Sequence, residues 1–153
     1  MLALFNSGSD SSVLKIREIW IKNVQVTTIT GVTASFELRR FTGMSATGSF
    51  VTPQTYDTND VLSSNVTSST GGTITGEGSS SMFRWIWSST NWGASAQSQP
   101  GSEHIIQNTS PAWIRRDEKE KAITLRSNQG IHIKDTVNST AGTFDLTIVF
   151  TQV

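Results

Sequence analysis

The chain has 153 residues, and 12 Lys and Arg balance 12 Asp and Glu to a formal net charge of zero. This balance argues against nucleic acid or an anionic membrane as a partner, since both attract basic proteins. Cysteine is absent, which excludes a disulfide framework, a thiolate nucleophile and a cysteine metal site. The length predicts one domain, and 22 Ser and 21 Thr beside 12 Gly are typical of an all-β domain with polar loops.

Residues 1–12 are predicted to form an N-terminal arm. An apolar tip of Leu2, Leu4 and Phe5 precedes a polar stretch without periodicity, which has little reason to order alone. The tip is too short for a signal-peptide core or a membrane span, so no membrane partner is expected. We expect Leu2, Leu4 and Phe5 to bind a neighbouring subunit or another partner. The alternative is a frayed terminus without a role.

Residues 13–153 are predicted to form a single β domain, which opens with a long strand over residues 13–26. The apolar positions of this strand change phase at Arg17 and Glu18, and such a change indicates a β-bulge. Apolar and polar residues then alternate over residues 34–41, which predicts a second strand.

The middle of the chain gives weaker signals. Residues 50–56 are predicted to form an edge strand, because Pro53 cannot donate to a ladder. Residues 57–62 are predicted to form a loop or one helical turn. Residues 82–87 are predicted to form a strand with apolar groups on both faces, and so to lie centrally or in an interface.

The last quarter of the chain alternates cleanly over residues 128–134 and 143–151. In the second run, one face carries Phe144, Leu146, Ile148 and Phe150, which predicts a strand that buries this face. With eight to ten predicted strands and no long helix, the sequence predicts an all-β, two-sheet antiparallel sandwich, by preference jelly-roll-like.

No motif predicts catalysis, a cofactor or a metal. Neither His104 nor His132 has a partner at metal-binding spacing, and both are interpreted as ordinary surface or sheet histidines. Residues 57–60 resemble the opening of a calcium loop but lack its glycine and its final glutamate, which favours an Asx turn. No nucleophile elbow is present. The expectation is a protein that is not an enzyme.

The aromatic residues offer candidates for partner binding. Trp92 lies in a polar loop and Trp113 follows Pro111, so each is either packed under its own loop or used as an anchor on a partner. A carbohydrate-binding or receptor-binding sandwich that uses Trp92 with Asn91 and Gln97 is an alternative function. The charged run over residues 115–121 is interpreted as a solvated turn, or as a source of ion pairs between subunits.

Several segments together resemble small structural proteins encoded beside the major capsid protein of tailed bacteriophages. The likeness is one of fold-like motifs and covers about half of the chain, whereas residues 43–101 resemble nothing identifiable. It is carried by Leu4-Phe5-Asn6, by Leu14–Ile21, by Phe36–Phe41, by Glu120–Ile133 with its Leu125-Arg126 and Gly130-Ile131, and by Thr140–Phe150.

This resemblance implies a virion structural protein, most specifically a head decoration (cement) protein on the outer capsid surface. The implied partner is the major capsid protein, with a tail, neck or fibre position as the alternative. We also expect a homotrimer, with a homodimer as the alternative, and residues 82–87 and the charged run as interface elements.

Overall fold

The structure is a computed structural model that describes residues 1–8, 12–24, 33–45, 50–88, 103–105, 109–117, 120–136 and 143–153. Every regular element in these ranges is a β-strand, which confirms the predicted all-β class. In the same ranges, no helix has the length and apolarity needed to cross a membrane. The strands of the described ranges are β1 (Leu2–Asn6), β2 (Leu14–Asn23), β3 (Thr33–Phe41), β4 (Gly43–Ser45), β5 (Val66–Ser69), β6 (Thr73–Thr75), β7 (Phe83–Ser88), β8 (Glu103–Ile105), β9 (Trp113–Ile114), β10 (Thr124–Leu125), β11 (Gln129–Asp135) and β12 (Phe144–Gln152).

Two sheets pack face to face, as the sequence predicts. The larger sheet, called sheet A, has the strand order β5-β1-β11-β3-β7-β8 and is antiparallel except for the β7–β8 pair. Sheet B has the order β10-β2-β12, and β9 also pairs with β2. β4 and β6, which are separated in the chain by β5, form a third sheet of two antiparallel strands. The jelly-roll topology stays a prediction.

The predicted bulge in β2 is confirmed, and it explains how this strand buries so much apolar surface. Val149 of β12 pairs with Glu18, but the next residue, Phe150, pairs with Ile16, so Arg17 is skipped. The skip restores the phase of the strand. The two apolar pairs therefore share one buried face rather than lying on opposite faces: Leu14, Ile16, Ile19 and Ile21 are each at most 1% exposed.

The main core lies between sheets A and B. Phe36 and Leu38 of β3 are buried in it. The face of β12 that the sequence predicts to be buried packs against the same core and is partly buried: Phe144, Leu146, Ile148 and Phe150.

The predicted N-terminal arm is wrong, because its apolar tip is an interior strand. β1 lies between β5 and β11, and it is hydrogen-bonded to both. Leu4 is 2% exposed and Phe5 is 7% exposed. The side chain of Asn6 is fully buried and donates to the carbonyl oxygens of Ser12 and Leu125. Residues 2–6 therefore belong to the domain itself.

The predicted edge strand over residues 50–56 is also wrong. Only Phe50 forms an isolated bridge, to Ser69, and the Val51 amide donates to the Ser68 carbonyl at 3.1 Å. Residues 51–55 then have no regular structure, consistent with a proline that cannot donate to a ladder. The Asx turn predicted at residues 57–60 is confirmed, since the Asn59 amide donates to Asp57 Oδ1 at 2.9 Å.

A second, smaller core covers part of the outer face of sheet A. There Ala3, Phe5 and Phe41 are buried beneath Met44 of β4 and Ile74 of β6. Phe5 and Phe41 both pair with Gly130 of β11, and their rings stack at 5.4 Å. A Cβ atom at residue 130 would overlap the Phe41 ring. The glycine is therefore required by the close approach of this ring.

We expect Gly130→Ala to lower the free energy of unfolding by about 1–3 kcal/mol, the usual effect of overpacking a core. Gly78→Ala is the matched control, because a Cβ there would meet its nearest atom, the Arg40 carbonyl oxygen, at an ordinary 3.5 Å. Adding Phe41→Leu should recover part of the loss, as a double-mutant cycle would show. Equal effects of the two alanine substitutions in urea unfolding would contradict this account.

Candidate interaction surface

A cluster of charged side chains lies on the outer face of sheet A, where β11, β3 and β7 are neighbours. Glu77, in the loop after β6, places Oε1 at 2.6 Å from Lys134 Nζ, 3.2 Å from His132 Nε2 and 3.6 Å from Arg39 Nε. The conformation of Gly76, with φ of 63°, turns the chain so that Glu77 reaches the sheet.

Glu37 completes this cluster from β3. Its carboxylate contacts Arg39 at 2.7 Å and Arg84 of β7 at 3.0 Å, and the residue is only 5% exposed. A buried carboxylate needs such compensation. Carboxylates and cations thus alternate across three strands and bind the loop around Glu77 to the sheet.

His132 is the buried member of the cluster. It is 2% exposed, with its ring edge-on to Phe41 at 5.7 Å. Because an ionised Glu77 can only accept, Nε2 carries the hydrogen of the neutral ring. Nδ1 is buried and has no hydrogen-bond partner among the described residues. Burial lowers the pKa of His132 below 6.5, although Glu77 opposes the shift.

The surroundings of Glu77 stabilise the ionised form of its carboxyl group. Its hydrogen bond to Lys134 lowers the pKa of the carboxyl below 4.5, against the opposing effect of burial and with smaller contributions from the charges of Lys134 and Arg39. Both carboxylates of the cluster are therefore engaged by cations. In the described residues, no group of three or more His, Cys, Asp or Glu side chains could hold a metal ion. The geometry supports a structural role for the cluster.

We expect acid to destabilise the fold in two steps. Because the pKa of His132 is lowered, the unfolded state binds a proton that the folded state does not, so stability falls as the pH drops below 6.5. The pKa of Glu77 is also lowered, and this gives a second loss below 4.5. Thermal unfolding measured from pH 7 to pH 3 should show both. His132→Gln should remove the first step and Glu77→Gln the second, whereas Asp145→Asn should leave both. A melting temperature that stays constant between pH 7 and pH 5 would contradict the assignment to His132.

Exposed apolar side chains are concentrated elsewhere, in residues 50–62, here called the 50–62 segment. Tyr56 and Val61 are each 92% exposed, and Phe50 is 54% exposed. Of the eight large apolar side chains exposed in the described residues, four lie in this segment, and Val153 lies beside it. Grouped exposure of this kind marks interaction sites, whereas single exposed residues do not.

The 50–62 segment runs along β12 and leaves three cavities between them. A cavity of 260 Å³ lies between Leu2, Leu4 and Leu146–Ile148, closed by residues 51–54. The next, of 290 Å³, lies between residues 53–56 and 147–150. The third, of 420 Å³, is lined by Thr55, residues 60–62 and residues 151–153. Together they form a groove beside β12.

The residues predicted to bind partners do not lie together. Leu4 and Phe5 are buried inside the domain, so the prediction that they dock on another subunit is corrected, while Leu2 is half-buried and lines the groove. Trp113 packs against the main core, with its ring 6.3 Å from Phe83. This contact favours a packing role. Trp92, with Asn91 and Gln97 of the carbohydrate alternative, lies outside the described residues.

The charged run is a turn in its described parts, residues 115–117 and 120–121. Arg115 Nε donates to the carbonyl oxygens of Asp117 and Glu120, and the Arg116 amide donates to Glu120 Oε2 at 3.0 Å. These bonds favour the interpretation as a solvated turn. Its role between subunits stays a prediction, as does that of residues 82–87.

Sequence reasoning missed the 50–62 segment as a candidate interaction surface. The predicted edge strand placed its apolar residues in a ladder, and the only signal against this was Pro53. Comparison of the chain with protein-family models, with curated proteins and with solved structures found no match.

Proposed function

We propose that the protein is a non-enzymatic structural component of a tailed-phage virion, specifically a decoration (cement) protein that binds the major capsid protein on the outer surface of the head. The observation that carries the proposal is the concentration of exposed apolar side chains in the 50–62 segment. This segment lies inside residues 43–101, the part of the chain outside the resemblance to phage structural proteins.

The segments that carry the resemblance lie next to one another in the fold. Leu4–Asn6, residues 36–41 and residues 129–133 fall in β1, β3 and β11, which are neighbours in sheet A. Residues 14–21 and 144–150 fall in β2 and β12, which pair in sheet B. The resemblance therefore concerns the framework, while the exposed apolar segment lies outside it. That division suits a common scaffold with a partner-specific surface.

The proposed mechanism is mass action on the assembled shell. A subunit that binds neighbouring capsomers only when they are assembled stabilises the assembled state. Each large apolar side chain that becomes fully buried contributes about 1.5–3 kcal/mol before ordering costs are subtracted. Tyr56 and Val61 are almost fully exposed in the isolated chain and so have the most surface to bury.

The double variant Tyr56→Ser with Val61→Ser should weaken binding to purified capsids at least tenfold, about 1.4 kcal/mol. Its melting temperature should stay close to that of the wild type, because neither side chain is packed. Val24→Ser is the matched control, since Val24 is exposed but lies outside the segment. Binding is measured by co-sedimentation with particles that lack the protein.

Absence of the chain from purified virions, or capsid binding that free sugar abolishes, would overturn the proposal. Immunogold labelling confined to the tail would assign the protein to the tail rather than to the head.

A further inference from the structure

The outer edge of β12 is open to pairing. β12 pairs with β2 along its whole length, and no described strand lies on its other side. The Val24 amide donates to the Thr143 carbonyl, and Val13 and Val153 exchange both backbone bonds. Because bonded pairs alternate in an antiparallel ladder, the odd-numbered residues of β12 bond to β2. The backbone groups of residues 144, 146, 148, 150 and 152 therefore face outward.

Apart from the 50–62 segment, which runs along it, this edge lacks the features that usually protect an edge strand. Such strands are normally short, bulged, rich in charge or interrupted by proline. β12 has nine residues, no proline and a single charged residue, Asp145. The bulge in this pair lies on β2, at the skipped Arg17, so β12 keeps a regular ladder.

The 50–62 segment does not use these outward backbone groups. Within the described residues, its backbone bonds go to Ser68 and to its own turn. The nearest bond to β12 comes from the residue after the segment, Ser63, whose amide donates to the side chain of Gln152. The cavities between the segment and β12 follow from this lack of pairing. An incoming strand therefore has to displace side-chain contacts but no backbone ladder.

The sequence of β12 is self-complementary in an antiparallel arrangement centred on Ile148. In this register, Leu146 lies opposite Phe150 of a second copy, and all nine residues are paired. The register also keeps core-facing side chains on the core side of the sheet, as burial requires. Shifting the centre to residue 147 or 149 leaves residues of the strand unpaired.

Charge favours the same register. Asp145 does not meet itself but lies opposite Thr151 of the second copy. Within each chain, Asp145 pairs with Lys22 and Thr151 pairs with Lys15. The row across the two copies therefore reads Lys22, Asp145, the partner subunit's Thr151 and the partner subunit's Lys15. Each aspartate is placed between lysines rather than beside another carboxylate.

We propose that β12 pairs with β12 of a second copy about a two-fold axis at Ile148, so that sheet B continues through a homodimer. Such an interface is isologous and closes on itself, in contrast to the trimer expected from the sequence. The dimer displaces residues 53–56, which line the cavity beside residues 147–150. The dimer goes beyond the proposed function, because it uses the edge of β12, whereas the proposed capsid contact uses the exposed side chains of the 50–62 segment.

The absence of cysteine allows a direct test by cross-linking. Residue 147 lies opposite residue 149 of the second copy in a pair without hydrogen bonds, where Cβ atoms are about 4.5–5.5 Å apart and small adjustment permits a disulfide. Thr147→Cys mixed with Val149→Cys should give at least tenfold more disulfide-linked dimer than Thr147→Cys mixed with Asp145→Cys. The latter residues lie about four positions apart along the paired strands, roughly 13 Å.

Sedimentation of the chain gives the second measurement. The wild type should be a dimer. The double variant Thr147→Lys with Val149→Lys should dimerise with at least tenfold lower affinity, because like charges face each other across the interface. The double variant Thr147→Glu with Val149→Lys should restore the dimer. A monomeric or trimeric wild type, or equal cross-linking of both cysteine mixtures, would overturn the inference. A dimer that fails to bind capsids would overturn the proposed function alone, whereas a monomer that binds capsids would overturn only the dimer.

Discussion

Deleting residues 1–6 is expected to abolish the folded domain. β1 pairs five of its residues with β11 and four with β5, so its loss leaves β5 without a neighbour in sheet A and exposes one edge of β11. It also uncovers both cores, because Leu4 belongs to the main core and Phe5 to the small one. The combined loss is comparable to the 5–15 kcal/mol that typically stabilises a domain.

Circular dichroism and thermal unfolding measure this effect, and single substitutions refine it. Leu4→Ala should lower the free energy of unfolding by about 2–5 kcal/mol. Leu2→Ala should cost less, since Leu2 is only half-buried. A truncated protein that melts like the intact one would restore the interpretation of residues 1–12 as an arm.

Trp85→Ala is expected to have the largest effect of any single substitution in the main core. Trp85 is fully buried, and its Nε1 donates to the Ala112 carbonyl at 3.0 Å. Removal of such a side chain costs about 3–5 kcal/mol. Trp85→Phe should keep most of the packing but leave the carbonyl unpaired, at a cost of about 1–3 kcal/mol.

Trp20→Ala is the matched control for Trp85. Trp20 lies on the opposite face of sheet B, where its Nε1 contacts Glu18 and Lys22 lies 4.5 Å above its ring. We expect a loss of about 1 kcal/mol or less for this partly exposed side chain. If urea unfolding showed that Trp20→Ala lowers the free energy of unfolding as much as Trp85→Ala or more, this result would contradict the position of the core.

Long strands with a clear period were predictable from the sequence. Alternation identified β3, β11 and β12, and the change of phase at Arg17 identified the bulge, because these signals depend on neighbouring residues. β1 could not be identified in this way. Five residues carry little periodicity, and their order comes from pairing with residues 66–69 and 129–133, which no local pattern reveals.

The position of His132 was unpredictable for a related reason. Alternation in β11 placed this residue on the polar face, and the prediction assumed that this face is in contact with water. The two-stranded sheet of β4 and β6, together with Glu77, instead covers this face. The paired glycines at residues 76 and 78 were the only local sign of a tight turn that could bring a carboxylate back onto the sheet.

The position of β1 between β5 and β11 has a consequence for folding during synthesis. The strand leaves the ribosome more than a hundred residues before β11, yet Leu2 pairs with Ile133 and Asn6 with Gln129. Sheet A therefore cannot close until most of the chain has been made. Non-local pairing of this kind slows folding, and meanwhile Leu4 and Phe5 remain uncovered as an unpaired strand that other chains can bind. Nascent chains should accordingly depend on holding chaperones until β11 emerges.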